Sequence, residues 1–87
     1  MFCVYILRSS SDKKLYVGYT NNLKRRLKEH SDGNNFSTKD RLPLELVYYE
    51  AYHNGEDAKE RERFFKTGWG RQYIAKVLKN YFRSEKI

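Results

Sequence analysis

The fold is decided by residues 2–19, which read FCVYILRSSSDKKLYVGY. Residues 2–7 form an aromatic and β-branched run that predicts a largely buried strand. A polar segment at residues 9–14 has the composition of a turn. The second apolar run, residues 15–19, predicts a partner strand, so we expect an antiparallel hairpin.

The rest of the chain predicts one more strand and three helices. The helices are expected at about residues 23–30, 54–67 and 71–82, and the third strand at residues 44–52. This β-β-α-β-α-α order indicates an α+β fold, a small three-stranded antiparallel sheet flanked by helices. A chain of 87 residues is expected to form a single domain, residues 1–87.

Basic side chains are concentrated towards both ends of the sequence. The chain carries 18 Lys+Arg against 11 Asp+Glu, a net charge of +7. Counting the same residue types, residues 1–30 are net +5, residues 31–57 net −4 and residues 58–87 net +6. Two basic blocks suit a polyanionic partner contacted by both ends of one fold. The alternative is a solvated surface that keeps a small protein soluble.

The composition also argues against several classes of protein. The single cysteine, Cys3, excludes an internal disulfide and a multi-cysteine zinc site. No apolar run approaches the roughly 18 residues that span a bilayer, and Arg8 interrupts the only run that could open a signal peptide. We therefore expect a soluble, cytoplasmic protein without a membrane partner. Neither a Gly-rich phosphate loop nor a Ser/His/Asp hydrolase signature is present.

Glu62 breaks the hydrophobic pattern of the second predicted helix. Ala58, Phe65 and Trp69 share its helical face at about 100° per residue, so the carboxylate lies on an apolar stripe. A carboxylate in that position is costly unless it is paired or binds a metal. The competing interpretation is an ion pair with Arg61, Lys66 or another basic side chain at the edge of the core.

Arg26 and His30 lie four residues apart on the first predicted helix and are therefore neighbours. An arginine can hold a phosphate by two parallel hydrogen bonds, and a histidine can donate to a phosphate, move a proton or bind a metal. The alternatives are that Arg26 belongs to the solvated run at residues 24–26 and that His30 interacts with the helix dipole.

Tyr5 and Tyr16 fall near the middle of the two paired strands. Each phenol either packs in the core or points toward a water or phosphate. An unperturbed tyrosine has a pKa near 10 and is a poor base unless a metal or cation lowers that value.

These positions together resemble the GIY-YIG nuclease family. Cys3-Val4-Tyr5 stands at the first tripeptide and lacks its glycine, while Tyr16-Val17-Gly18 stands at the second with valine for isoleucine. Arg26, His30 and Glu62 follow in the family's order and spacing. The sequence is similar to the small stand-alone bacterial branch of the family and to the N-terminal nuclease domains of UvrC-type excision enzymes.

The resemblance implies metal-assisted hydrolysis of phosphodiester bonds. Glu62 would bind a single Mg²⁺ or Mn²⁺, and Arg26 would stabilise charge on the phosphate. Tyr5, ranked above Tyr16, would act as general base, with Tyr16 and His30 positioning water and substrate or assisting proton transfer. Five further basic residues are expected to contact phosphates away from the cut: Lys24, Arg25, Lys28, Lys66 and Arg71.

The function implied is a DNA endonuclease that is structure-specific and linked to repair or recombination, with RNA open as a substrate. Two alternatives stay open. A non-catalytic module could bind nucleic acid through stacking and phosphate contacts. The chain could also be a nuclease subunit that needs a protein partner or self-association as a homodimer to choose its target.

Overall fold

Three strands form one antiparallel sheet at the centre of the molecule. A computed structural model describes residues 1–85 and contains strands β1 (Phe2–Ser9), β2 (Leu15–Thr20) and β3 (Leu44–Tyr52). The strand order is β2-β1-β3, so the first strand of the chain lies between the other two. The predicted α+β class and the three-stranded antiparallel sheet are confirmed.

Four helices accompany this sheet: α1 (Leu23–Ser31), α2 (Gly55–Phe65), α3 (Gly68–Val77) and α4 (Lys79–Ser84). Asparagine side chains cap α1 and α2. Asn54 Oδ1, for example, accepts a hydrogen bond from the backbone N–H of Glu56 at 2.8 Å. Within residues 1–85, none of the helices has the length and apolar character needed to cross a membrane.

The central strand β1 is buried on both faces, from Cys3 to Leu7. Alternate residues of a strand point to opposite faces. Val4 and Ile6 point to one face, where they form the main core with Ala58 of α2, Phe65 of α2 and Ile74 of α3. Burying an aliphatic or aromatic side chain of this size contributes about 1.5–3 kcal/mol. The side chains on the opposite face of β1 do not belong to this main core.

The junction between α2 and α3 is unusually tight. Thr67 caps α3 by accepting a hydrogen bond from the backbone N–H of Gly70 at 3.1 Å. A methyl group at Gly70 would lie 2.6 Å from the Cα of Phe65 and would overlap the carbonyl of Phe64. Glycine at this position lets α3 pack directly against the end of α2.

The predicted helix boundaries after α2 are wrong in three places. The second helix ends at Phe65 rather than near Thr67, and the third begins at Gly68 rather than Arg71. The third predicted helix is also two helices, because Leu78, with φ −105° and ψ 21°, separates α3 from α4. The predicted single domain extends to residues 86–87, which lie outside the described residues.

Trp69 does not belong to the apolar stripe that the sequence indicated. Its side chain is 77% exposed, whereas Ala58 and Phe65 are buried. The reason is the turn after Phe65: helical periodicity stops there, and Trp69 lies in the first turn of a new helix.

Candidate active site

A buried polar cluster lies on the face of β1 opposite the main core. Tyr5 Oη and His30 Nε2 are hydrogen bonded at 2.8 Å, and His30 Nδ1 and Thr38 Oγ1 at 2.6 Å. Tyr5 and Thr38 are fully buried and His30 is 1% exposed. Both ring nitrogens of the histidine therefore have partners, as a buried imidazole requires.

Gly18 of β2 makes room for the Tyr5 ring. The two residues are direct partners in the β1–β2 ladder. A methyl group at Gly18 would lie 2.8 Å from Tyr5 Cε1 and would overlap the end of the phenol. The tyrosine ring therefore lies across the edge strand where glycine leaves space.

Replacing Gly18 with alanine is expected to lower the free energy of unfolding by about 1–3 kcal/mol, because the added methyl forces the enclosed Tyr5 ring to move. Urea unfolding measures this change. Gly68→Ala is the matched control, because a methyl group there meets no atom within 4 Å. Equal stability of the two variants would contradict the close approach.

Tyr16 completes an aromatic arrangement around the histidine. Its ring centroid lies 5.3 Å from that of His30 and 6.3 Å from that of Tyr5. Tyr16 is half-buried on the edge strand β2, whereas Tyr5 is enclosed on the central strand. In this cluster the phenol of Tyr16 is therefore partly open to solvent, whereas that of Tyr5 is buried.

Arg26 brings a positive charge to the same cluster. Its Nε is buried and lies 3.0 Å from Glu29 Oε1, but the two groups are not aligned for a hydrogen bond. Burial opposes the charge of Arg26, yet the neighbouring Tyr5 phenol and the Glu29 carboxylate outweigh it and raise the pKa. The Arg26 side chain is 29% exposed, so the rest of its guanidinium is suited to bind an anion from outside the protein.

Glu62 approaches the cluster from α2. Its negative charge is one of the causes that raise the pKa of Tyr5, after burial and the neighbouring Tyr16. The carboxylate is 23% exposed, and Lys66 Nζ donates to its Oε2 at 3.1 Å. Of the two named partners the sequence allowed for this carboxylate, Lys66 is the one observed.

The donor set fits a hard divalent cation with one protein carboxylate. Glu62 offers partly exposed oxygen ligands, and its charge acts on the pKa of Tyr5. Mg²⁺ commonly retains several waters and binds through one or two carboxylates. Within residues 1–85, no group of three or more His, Cys, Asp or Glu side chains is arranged as a metal site. Water and substrate phosphate would complete the coordination of any bound ion.

A second polar network fastens α2 to β3. Glu50 accepts hydrogen bonds from Arg61 Nε at 2.8 Å, Tyr48 at 2.6 Å and Tyr52 at 2.5 Å. Partial burial opposes the charge of Glu50, but hydrogen bonds from Arg61 and the two tyrosines outweigh it and lower the pKa. Because Arg61 precedes Glu62 directly, this network holds the helix turn that carries the proposed metal ligand.

The five predicted phosphate-contacting residues lie in different surroundings. Lys24 is exposed on α1. Two more of the five, on the same helix, lie near carboxylates: Arg25 Nε is 3.8 Å from Glu29 Oε2, and Lys28 Nζ is 2.9 Å from Asp32 Oδ2. The other two, Lys66 and Arg71, line one groove together with Tyr16. This second pair therefore shares a surface with Tyr16.

A comparison with protein families identifies one family for this chain. A model of the GIY-YIG catalytic domain matches residues 1–74. The chain belongs to the GIY-YIG family. Members of this family are nucleases, so the chain is assigned to a nuclease family.

Relatives of this GIY-YIG chain are bacterial proteins that carry the name UPF0213. One from Clostridium perfringens is 44% identical over 64 residues, 72% of this chain and 68% of its own length. One from Bacillus licheniformis is 44% identical over 63 residues, 71% of this chain and 64% of its own. One from Pediococcus acidilactici is 40% identical over 82 residues, 91% of this chain and 82% of its own.

Two parts of this GIY-YIG site were not predicted. Thr38 lies in a polar loop with no periodicity, so nothing in the sequence connected it with His30. The alternation of the third strand could have indicated Glu50. Residues 48, 50 and 52 point to the same face of a strand, so Glu50 lies between the phenols of Tyr48 and Tyr52.

His30 predicts a pH dependence of folding. Burial lowers the pKa of His30 below its ordinary value of 6.5, Arg26 acts in the same direction and Glu29 opposes them. The unfolded chain therefore binds a proton on this imidazole at a higher pH than the folded chain. The free energy of unfolding is expected to fall as the pH drops below about 6.5, as urea unfolding between about pH 5 and pH 7 will measure.

The second histidine provides the control for this pH dependence. His53 is exposed between β3 and α2. The slope of unfolding free energy against pH should decrease in His30→Gln and persist in His53→Gln. Identical slopes in both variants and the original protein would contradict the prediction.

Proposed function

We propose that residues 1–87 act as one nuclease domain, a divalent-metal-dependent endonuclease that hydrolyses phosphodiester bonds in DNA. The observation that carries the proposal is the enclosed hydrogen bond of Tyr5 to His30, beside the partly exposed guanidinium of Arg26. A proton acceptor and an anion-binding group in one cluster are what attack on a phosphodiester needs. Membership of the GIY-YIG family supports the same assignment.

Tyr5 and His30 are proposed to handle the proton of the attacking water. Burial raises the pKa of Tyr5 to about 12, so the phenol keeps its proton until an acceptor takes it. His30, whose pKa is lowered by burial, is neutral at pH 7 and offers that acceptor. We assign the imidazole proton to Nδ1, because it then donates to Thr38 and leaves Nε2 free to accept from Tyr5.

Tyr5 remains the proposed general base: its Oη would take the proton of the attacking water while its own proton passes to His30 Nε2, 2.8 Å away. Tyr16, at the open side of the cluster, is proposed to position the water and the substrate. Arg26 is proposed to stabilise the charge that builds on the phosphate oxygens.

Glu62 is proposed to hold a single Mg²⁺ or Mn²⁺. When bound, that ion would supply charge neutralisation at the scissile phosphate and at the leaving oxygen. Until then, Lys66 satisfies the carboxylate from a largely exposed position, and exposed pairs of this kind are weak enough to exchange.

Cleavage assays on a panel of labelled oligonucleotides test the proposal. The panel contains linear, nicked, flapped and branched DNA of matched sequence, and the RNA counterpart of the linear strand. We expect cutting with Mg²⁺ or Mn²⁺ and none with a chelator. A preference for the branched or flapped forms would support a role in DNA repair or recombination.

Exposed aromatic rings favour a second candidate, a module that binds nucleic acid without cutting it. Trp69 is 77% exposed and Phe36 85% exposed, so both rings are available for stacking on bases. Tight binding without cleavage under any metal would favour this candidate. Cleavage that appears only after a cell extract is added would instead favour a subunit that needs a protein partner.

A further inference from the structure

A groove of about 340 Å³ opens beside Tyr16. Its walls come from strand β2, the end of α2, and helices α3 and α4. The volume lies at the lower end of the roughly 300–1,000 Å³ that small-molecule sites occupy, so the groove is sized for one small group.

The lining of the groove joins an apolar surface to two cations. Val17, Ala75 and Phe82 contribute apolar surface, and Lys66 and Arg71 contribute the positive charges. Within residues 1–85, no carboxylate forms an ion pair with Arg71. A ligand that fits both parts has a flat, apolar body and an attached negative charge, which is the chemistry of a nucleotide.

Two residues connect the groove with the candidate active site. Tyr16 lines it and also packs against His30, with ring centroids 5.3 Å apart. Lys66 lines it and also donates to Glu62 at 3.1 Å. A nucleotide in the groove would therefore lie next to the phosphate that the cluster is proposed to attack.

We propose that this groove binds one unpaired nucleobase of the substrate beside the scissile phosphate, with an adjoining phosphate held by Lys66 and Arg71. The inference rests on the proposed function and narrows its substrate to nucleic acid with an unpaired nucleotide next to the cut. A base inside a duplex has both faces covered by its neighbours in the stack, so only an unpaired or extruded base can place a face against an apolar wall.

The first test is a comparison of binding without metal ions, so that no cleavage occurs. Fluorescence anisotropy compares a fully paired duplex with the same duplex carrying one additional, unpaired thymidine. We expect about tenfold tighter binding of the second duplex, in the range that stacking of one base supplies. Equal affinity for the two duplexes would overturn the proposal.

Two variants of α3 test whether the preference for the duplex with an unpaired thymidine depends on the groove. Ala75→Phe fills the groove, and Ala75 is exposed, so the larger side chain does not enter the main core. Gln72→Phe adds the same ring at an exposed position of the same helix that does not line the groove. The tenfold preference should be lost in the first variant and retained in the second; its retention in Ala75→Phe would overturn the proposal.

A crosslinking experiment on the unaltered protein avoids any dependence on how the variants fold. The unpaired thymidine is replaced by 5-iodo-2′-deoxyuridine, and the complex is irradiated. Mass spectrometry then identifies the residue that is crosslinked to the base. Attachment to Tyr16 or Phe82 of the groove supports the proposal. Attachment only to Trp69 or Phe36, the exposed rings elsewhere, or failure to link any groove residue, overturns it.

The two proposals can fail separately. Because binding and crosslinking are measured without metal, the preference for an unpaired base can appear even if no substrate is cleaved. Conversely, efficient cleavage of fully paired DNA that Ala75→Phe leaves unchanged would support the nuclease and overturn the role of the groove.

Discussion

Glu62→Ala is expected to abolish metal-dependent cleavage while leaving the fold and most nucleic-acid affinity intact. Loss of the proposed metal ligand removes several kcal/mol of charge stabilisation, so we expect a decrease of at least about a thousandfold in the cleavage rate. The side chain is only partly buried, and its visible partner is the largely exposed Lys66. The free energy of unfolding should therefore change by less than about 1 kcal/mol.

The control for this prediction is Glu60→Ala, which removes an exposed carboxylate from the same helix. Cleavage kinetics with Mg²⁺ and with Mn²⁺, together with anisotropy binding, separate turnover from affinity. Undiminished cutting by purified Glu62→Ala would contradict the assignment of Glu62 as the metal ligand.

Arg26→Ala is expected to reduce the turnover rate by about 100- to 1,000-fold, with a much smaller loss of affinity. The physical reason is the position of the guanidinium beside Tyr5, with a buried Nε that has no hydrogen-bond partner within residues 1–85. The partly exposed guanidinium stabilises the phosphate most when negative charge builds on its oxygens. Arg26→Lys should not restore the rate, because an ammonium lacks the planar pair of donors.

Single-turnover kinetics measure the rate of cleavage, and anisotropy measures the binding affinity, so the two effects of Arg26→Ala can be compared. Arg25→Ala is the matched control, since this neighbouring arginine is more exposed and lies 3.8 Å from the same Glu29. Equal losses of rate and affinity in Arg26→Ala would make Arg26 an anchoring residue rather than a stabiliser of the transition state.

The positions of Tyr5, Tyr16, Arg26 and His30 could be predicted because local regularities carry them. Two strands joined by a short polar turn must pair, and a helix brings residues four apart to one side. The structure shows the outcome: the ring centroids of Tyr5 and His30 lie 5.7 Å apart, and a hydrogen bond joins the two side chains.

Contacts that depend on the path of the chain could not be predicted in the same way. Thr38 reaches His30 because the loop after α1 folds back over the histidine, and no spacing rule describes that return. Trp69 was assigned to the wrong surface because the helical period was extended across the turn that follows Phe65. Glu50, not Glu62, is the carboxylate that pairs with Arg61.

The sequence by itself determined the three strands, the approximate positions of the first two helices, the class of fold and most of the residues from which the candidate site is built, because strand alternation and helical spacing are local properties of the chain. Only the tertiary structure decided which partners those residues have. It encloses Tyr5 against Gly18 and His30, gives Lys66 rather than Arg61 to Glu62, and places Arg71 in a groove with Tyr16. Packing of distant segments sets these contacts, and with them burial, hydrogen bonding and pKa.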